Sequence, residues 1–166
     1  MNLDEAKDRW LDAVQVATKQ LKRRRELLGL SVDEVAAAVG GDSFWLVRLE
    51  DDPDLSVQLE DLVDIAKALD ARWQLWLTAA DESMVLRLLG ERSLSERMRR
   101  GLLMMMDWRD CNQIALGKRI DLTQPNVSRI LNGRKPLLPE RIVAFCAALD
   151  FFVSFELEVG FEEVLR

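Results

Sequence analysis

The residues best suited to chemistry lie between Gln113 and Lys135. Placed on a helix at about 100° per residue, Thr123–Asn132 turns Val127, Ile130 and Leu131 inward. Pro125, Ser128, Arg129 and Asn132 then face outward, with Gln124 and Asn126 exposed at the N-terminal end. Amides and a guanidinium can make paired hydrogen bonds: Gln matches the edge of adenine, and Arg that of guanine. The same stretch holds five bases (Lys118, Arg119, Arg129, Arg134, Lys135) and one acid, Asp121. This is recognition chemistry.

Bond-breaking chemistry is poorly supplied. The 166 residues include no His, which removes histidine general bases, Ser-His and Cys-His dyads and histidine-ligated zinc. Cys111 and Cys146 stand apart with no CxxC pair, define no disulfide framework and are expected in the core of a protein from a reducing compartment. The pair Glu162-Glu163 has no basic or catalytic partner at a useful spacing, and no phosphate-cradling glycine loop occurs. No enzymatic activity, cofactor or metal is expected.

Composition sets the class. Hydrophobic residues at 49% and charged residues at 31% suffice for a folded core. No apolar run approaches the ~20 residues of a membrane span. Leu102–Met106 could serve as an adaptable binding surface, but its place on a helix makes a core role the expectation. Asp4, Glu5 and Asp8 stand where a signal peptide would be basic, so no such peptide, no membrane partner and a cytoplasmic location are expected. With 23 Lys+Arg and 29 Asp+Glu the net charge is −6, which disfavours a general nucleic-acid coat. The charge is uneven, however. Ser31–Asp64 holds ten acids and one base, Arg48, against the surplus of bases in Gln113–Lys135.

An internal repeat accounts for the division. Ala66-Lys-Ala-Leu-Asp-Ala-Arg-Trp-Gln-Leu-Trp-Leu77 aligns with Cys146-Ala-Ala-Leu-Asp-Phe-Phe-Val-Ser-Phe-Glu-Leu157 at an offset of 80. Trp73, Leu75 and Leu77, like Val153, Phe155 and Leu157, alternate as half-buried strands do. Leu46-Val-Arg-Leu49 matches Val127-Ser-Arg-Ile130 at an offset of 81. In the first copy a helix is expected over Leu3–Leu28, stopped by Gly29. A second is capped by Ser31 with Glu34, a third by Asp42 and running to Glu50, and a fourth spans Val57–Leu69. The second copy repeats the order. A helix covers Leu94–Trp108, and Asn112 caps one to Ile120. Thr123 caps one that ends at Asn132-Gly133 with a left-handed C-cap, and a last helix begins near Pro139. The expected division is 1–80, a linker over 81–92, and 93–166.

Short helix, tight turn, short helix with a small residue at the crossing suits a DNA-binding helix-turn-helix. Gly117 is that small residue, and Leu116, Ile120, Leu122, Val127 and Ile130 pack the pair. The stretch Thr123-Gln-Pro-Asn-Val-Ser-Arg-Ile-Leu-Asn-Gly133 resembles the XRE group of Cro- and phage-repressor-like regulators. A helix running straight into a Leu-Asp strand is similar to HigA- and HipB-type antitoxins, which pair such strands in a dimer. The resemblance departs at Gly117, where Ala is usual, and at Asp121, where Gly is usual, although Asp can enter the left-handed region.

The resemblance implies a mainly α fold of two tandem lambda-repressor-like units, each ending in a strand, the strands pairing as in a pseudo-dimer. It puts Gln124, Pro125 and Arg129 at base-facing positions, with Asn126 and Ser128 beside them. Gln113, Thr123 and Asn132 would contact phosphates, and Arg134 and Lys135 would clamp the next one. The implied partner is a double-stranded DNA operator, and the implied role is a sequence-specific transcriptional regulator, a prokaryotic or phage-type repressor.

The first copy keeps the frame through Ala36, Gly40, Val35, Val39, Leu46 and Leu49, but Asp42, Ser43, Phe44, Trp45 and Val47 replace the reading face. An acidic face repels phosphates. Exposed Phe44 and Trp45 therefore point to a protein interface, the alternative being that both rings fold onto the core. An antitoxin or anti-activator working through this copy is the competing function. Lys22-Arg-Arg-Arg25 reads as a solvated helix face more readily than as a phosphate contact. Strand pairing within the chain is favoured over pairing with a twin chain, with a homodimer formed through the acidic copy or through Phe44 and Trp45.

Overall fold

The computed structural model describes residues 1–90 and 92–160. Helix α1 (Leu3–Leu27) carries Asp4 and Glu5 in its first turn and Arg24 and Arg25 in its last, each sign opposing the helix dipole there. Its buried Ala6, Trp10, Val14, Ala17 and Leu21 recur at helical spacing. Gly29 ends it at φ 68°. Helix α2 (Val32–Ala38) begins in the expected capping box. Glu34 N donates to Ser31 Oγ and Ser31 N to Glu34 Oε2, each at 3.1 Å. Helix α3 (Ser43–Asp51) is capped by Asp42, whose Oδ1 accepts from Trp45 N at 2.7 Å. Helix α4 (Leu59–Ala68) leads into β1 (Ala71–Ala79). After β2 (Val85–Leu88) come α5 (Leu94–Trp108), α6 (Gln113–Ile120), α7 (Gln124–Leu131), α8 (Pro139–Leu149) and β3 (Phe151–Val159). The described chain is thus mainly helical, with a small three-stranded antiparallel sheet ordered β2-β1-β3.

The segment expected as a linker, 81–92, contains a strand. Leu88, Arg87, Leu86 and Val85 pair with Leu75, Trp76, Leu77 and Thr78 in an antiparallel hairpin with β1. Four residues are too few for alternation to declare itself, and the ladder to β1 supplies what the local pattern lacks. Glu91, at the end of that segment, and the pair Glu162-Glu163 lie outside the described residues.

The backbone repeats at the same offsets as the sequence. Gly29 and Asp110 share a positive φ at an offset of 81, as do Gly40 and Asp121, while Asp70 and Asp150 share one at 80. The turn bond from Gly41 N to Ala36 O, 2.9 Å, has its counterpart in Leu122 N to Gly117 O, 2.8 Å. An arginine closes the helix before each long strand: Arg24 Nε donates to Leu69 O at 3.1 Å, and Arg109 Nε to Leu149 O at 3.0 Å. A guanidinium suits the negative end of a helix.

The chain forms two compact units, Met1–Trp10 with Leu75–Ser154, and Leu11–Gln74 with the described part of Phe155–Arg166. The first is built around Leu94, Met98, Leu102, Met105, Leu116, Val127, Phe145 and Phe151, all buried. Gly101 lets α5 lie close to the strands, because a Cβ there would come within 2.5 Å of Leu77 and Leu88 methyls. The second unit buries Leu46, Leu49, Leu62, Ile65, Leu69 and Trp73. Within it Arg25 forms a two-pronged pair with Glu50, Nε to Oε1 at 2.7 Å and Nη2 to Oε2 at 2.9 Å. Lys22 reaches Asp51 at 2.8 Å. The basic run is therefore largely structural rather than a solvated face: of Lys22–Arg25, Arg24 and Arg25 are buried and Arg23 is exposed.

Candidate nucleic-acid interface

The α6–α7 pair is set by its caps and its turn. Asn112 Oδ1 accepts from Ala115 N at 2.8 Å and starts α6. Asp121 ends α6 in the left-handed conformation, φ 56° and ψ 48°, the conformation expected of it despite the missing glycine. The glycine at 117 has a specific cause. A Cβ there would run into the carbonyl oxygen of Leu122, a backbone atom that cannot swing aside. Helix α7 then starts from Thr123, with Pro125 in a first turn where a missing N–H costs nothing. Thr123 occupies the N-cap position, but its side chain makes no capping bond.

Val127, Ile130 and Leu131 are buried and fix the rotation of α7. Thr123, Gln124, Pro125 and Arg129 are consequently exposed, and Asn126 and Ser128 half-buried. Gln113 is half-buried at the start of α6; Asn132, Arg134 and Lys135 are exposed beyond the end of α7. Gly133, at φ 83°, turns the chain so that Arg134 N and Lys135 N both donate to Arg129 O, at 2.9 and 3.0 Å.

Side-chain contacts gather these residues into three groups. Gln124 Nε2 donates to Gln113 Oε1 at 2.8 Å, which ties the first residues of the two helices together. Asn126 Oδ1 accepts from Lys135 Nζ at 2.8 Å and from Arg129 Nη1 at 3.4 Å, so one amide oxygen orients two cations. Asn132 Oδ1 accepts from Arg134 N at 3.1 Å and shapes the loop after α7. Among the described residues, no hydrogen bond or ion pair joins the Thr123, Pro125 or Ser128 side chain to these groups. The arrangement leaves Gln124 Oε1, the Asn126 amide hydrogens and most of the Arg129 fork open to a ligand. Arg119 is partly engaged, donating to Ala148 O at 3.0 Å.

One positioning residue carries no sequence signal. Arg99 of α5 donates from Nε to Ile130 O at 2.9 Å and from Nη2 to Lys135 O at 3.3 Å. It holds the end of α7 and the basic loop in place. Its partners are backbone carbonyls, which no residue pattern advertises.

The matching surface of the first copy has a different character. Phe44 is 73% exposed, whereas Trp45 is half-buried with its ring over Gly41. The expectation of two exposed aromatics holds for Phe44 and not for Trp45. A glycine at 41 leaves room for the indole; a Cβ there would lie 2.7 Å from Trp45 Cε3. Ser43 Oγ donates to Asp33 Oδ1 across the turn. A pocket of about 140 Å³ opens beside this helix, lined by Asp42, Phe44, Trp45, Arg48, Asp52, Pro53 and neighbouring residues.

Elsewhere, Leu102, Met105 and Met106 are buried, while Leu103 and Met104 are exposed. Cys111 and Cys146 are buried, and burial pushes the Cys146 thiol far up, away from the reactive thiolate. No described helix is long and apolar enough to cross a membrane. Compared with known protein families, curated proteins and solved structures, the chain matches none.

Proposed function

We propose that this chain is a sequence-specific DNA-binding transcriptional regulator, a prokaryotic or phage-type repressor of XRE/Cro-like kind, which reads the major groove with α7. The observation that carries the proposal is the face of α7. The Gln113–Gln124 pair, Arg129 and the Lys135–Asn126 contact lie on exposed or half-buried side chains, above a buried strip that sets their direction. Gln124 and Arg129 would read base edges, each good bidentate pair adding roughly 1–3 kcal/mol of discrimination. Pro125, Asn126 and Ser128 would flank them. Thr123, with its hydroxyl unused as a cap, would meet a phosphate together with Gln113, Asn132, Arg134 and Lys135. Arg99 is a positioning residue for that loop.

The two copies would act as a pseudo-dimer of helix-turn-helix units joined through their strands, a reading supported by the neighbouring places of β1 and β3 in the sheet. With a single competent α7 per chain, a homodimer would recognise a palindrome with half-sites about one helical turn apart, and a monomer an asymmetric site. Such a regulator would work at the nucleoid in the cytoplasm, without catalysis or cofactor.

Selection of bound sequences from random DNA, run with a solution mass measurement, tests the proposal. Enrichment of a defined site is expected. No enrichment at low salt would overturn it.

The alternative is an antitoxin or anti-activator that holds a protein through the first copy. The specific observation in its favour is Phe44, exposed on a helix whose surroundings are acidic.

A further inference from the structure

The first copy has kept a helix in the place of a reading helix, yet its surface cannot meet phosphates. Ten acids and one base occupy Ser31–Asp64, and the one base, Arg48, already lies 3.8 Å from Asp54. Beside α3 the pocket of about 140 Å³ combines the Phe44 and Trp45 rings and Pro53 with Asp42, Asp52 and Asp54. Sites for drug-sized ligands run to roughly 300–1,000 Å³, so this one suits a single side chain. An isologous contact with the same face of a second copy would set acid against acid.

We propose that this pocket docks a basic segment of a partner protein, which seats one apolar or aromatic side chain against Phe44 and Trp45 and sets flanking Arg or Lys beside Asp42, Asp52 and Asp54. The inference rests on the reading of the first copy as a protein-binding surface and adds the anchor and the partner's charge. Apolar burial supplies the anchor, and the carboxylates supply register and rejection of acidic partners. Phe44 is already exposed, so the unbound protein retains its fold with the anchor vacant.

The test uses the full chain and three labelled synthetic peptides. One alternates Arg with Leu and Phe, one replaces every Arg by Glu, and one replaces every Leu and Phe by Ser. Fluorescence anisotropy gives affinity, and the NMR signal of the Trp45 indole N–H gives location. The first peptide is expected to bind and shift Trp45, with the other two at least about tenfold weaker. Phe44→Ser and Asp52→Asn should each weaken binding several-fold, at unchanged melting temperature and unchanged DNA binding. Equal binding of the Ser peptide, or no effect of Phe44→Ser, would overturn the anchor. Equal binding of the Glu peptide would overturn the charge assignment and leave a protein-binding surface standing. A doubled mass that blocks the peptide would make a second chain the occupant, which also overturns the proposal. Binding of none of the three would overturn both the inference and the reading beneath it.

Discussion

Two helix pairs in this molecule, α2–α3 and α6–α7, share a turn and differ in almost everything that faces outward. The shared part is backbone: positive φ at Gly40 and Asp121, and the turn bonds Gly41–Ala36 and Leu122–Gly117. Even the interior has been exchanged. Arg25 and Glu50 form a buried ion pair in the first copy, and at an offset of 81 the second copy has Met106 and Leu131, both buried. The frame survives because what it demands is volume and turn geometry, which charged and apolar pairs both satisfy. Surface chemistry is under no such demand and can diverge completely.

The largest test of that exchange is in the first copy. Glu50→Ala leaves the Arg25 guanidinium in place without its carboxylate, and a loss of about 3–5 kcal/mol is expected by denaturant unfolding. The double change Arg25→Met with Glu50→Leu, which copies the residues at 106 and 131, should recover most of it. If the double variant is no better than Glu50→Ala, the two interiors are not interchangeable and the comparison breaks.

The crossing residue offers a second test. Gly117→Ala places a Cβ against the Leu122 carbonyl, and about 1–3 kcal/mol of stability should be lost as the turn shifts. Ala36 occupies the equivalent position without such a conflict, so Ala36→Gly should cost only the usual ~1 kcal/mol of glycine in a helix. A stable Gly117→Ala variant would show that the turn can relax.

The contrast between surfaces is tested by binding. Arg129→Ala and Gln124→Ala should each remove roughly 1–3 kcal/mol of discrimination between a selected site and random DNA. Arg48→Ala should leave that ratio unchanged. Equal losses from Arg48→Ala would mean that the first copy also reads DNA.

Much of this frame was legible in the residues. Ser31 with Glu34, Asp42 and Asn112 announce helix starts because a short polar side chain can reach the free N–H groups of a first turn. Strands β1 and β3 announce themselves by alternation, and the outward set on α7 by helical period. The rest depends on contacts between distant segments. Arg24 and Arg25 look like part of a charged run until Leu69 O and Glu50 are placed beside them. Trp45 turns inward only because Gly41 leaves room for its ring. Strand β2 needs β1 to complete it, and Arg99 serves carbonyls that any sequence would possess.

The caps of the two outer helices give the smallest effect and the sharpest contrast. Asp42 Oδ1 accepts the Trp45 N–H at 2.7 Å, so Asp42→Ala should lower stability by about 1 kcal/mol. Thr123 holds the equivalent position without a capping bond, so Thr123→Ala should cost only a few tenths of a kcal/mol in the same unfolding experiment. Under the proposed function its effect would fall instead on DNA, where loss of a phosphate contact would weaken specific and non-specific sites alike. A Thr123→Ala variant that melts about as early as Asp42→Ala would show that its hydroxyl serves the helix. One that keeps full DNA affinity would remove Thr123 from the interface. The expected outcome separates the two roles: in the first copy the cap stabilises the helix, and in the second the same position is left free for a ligand.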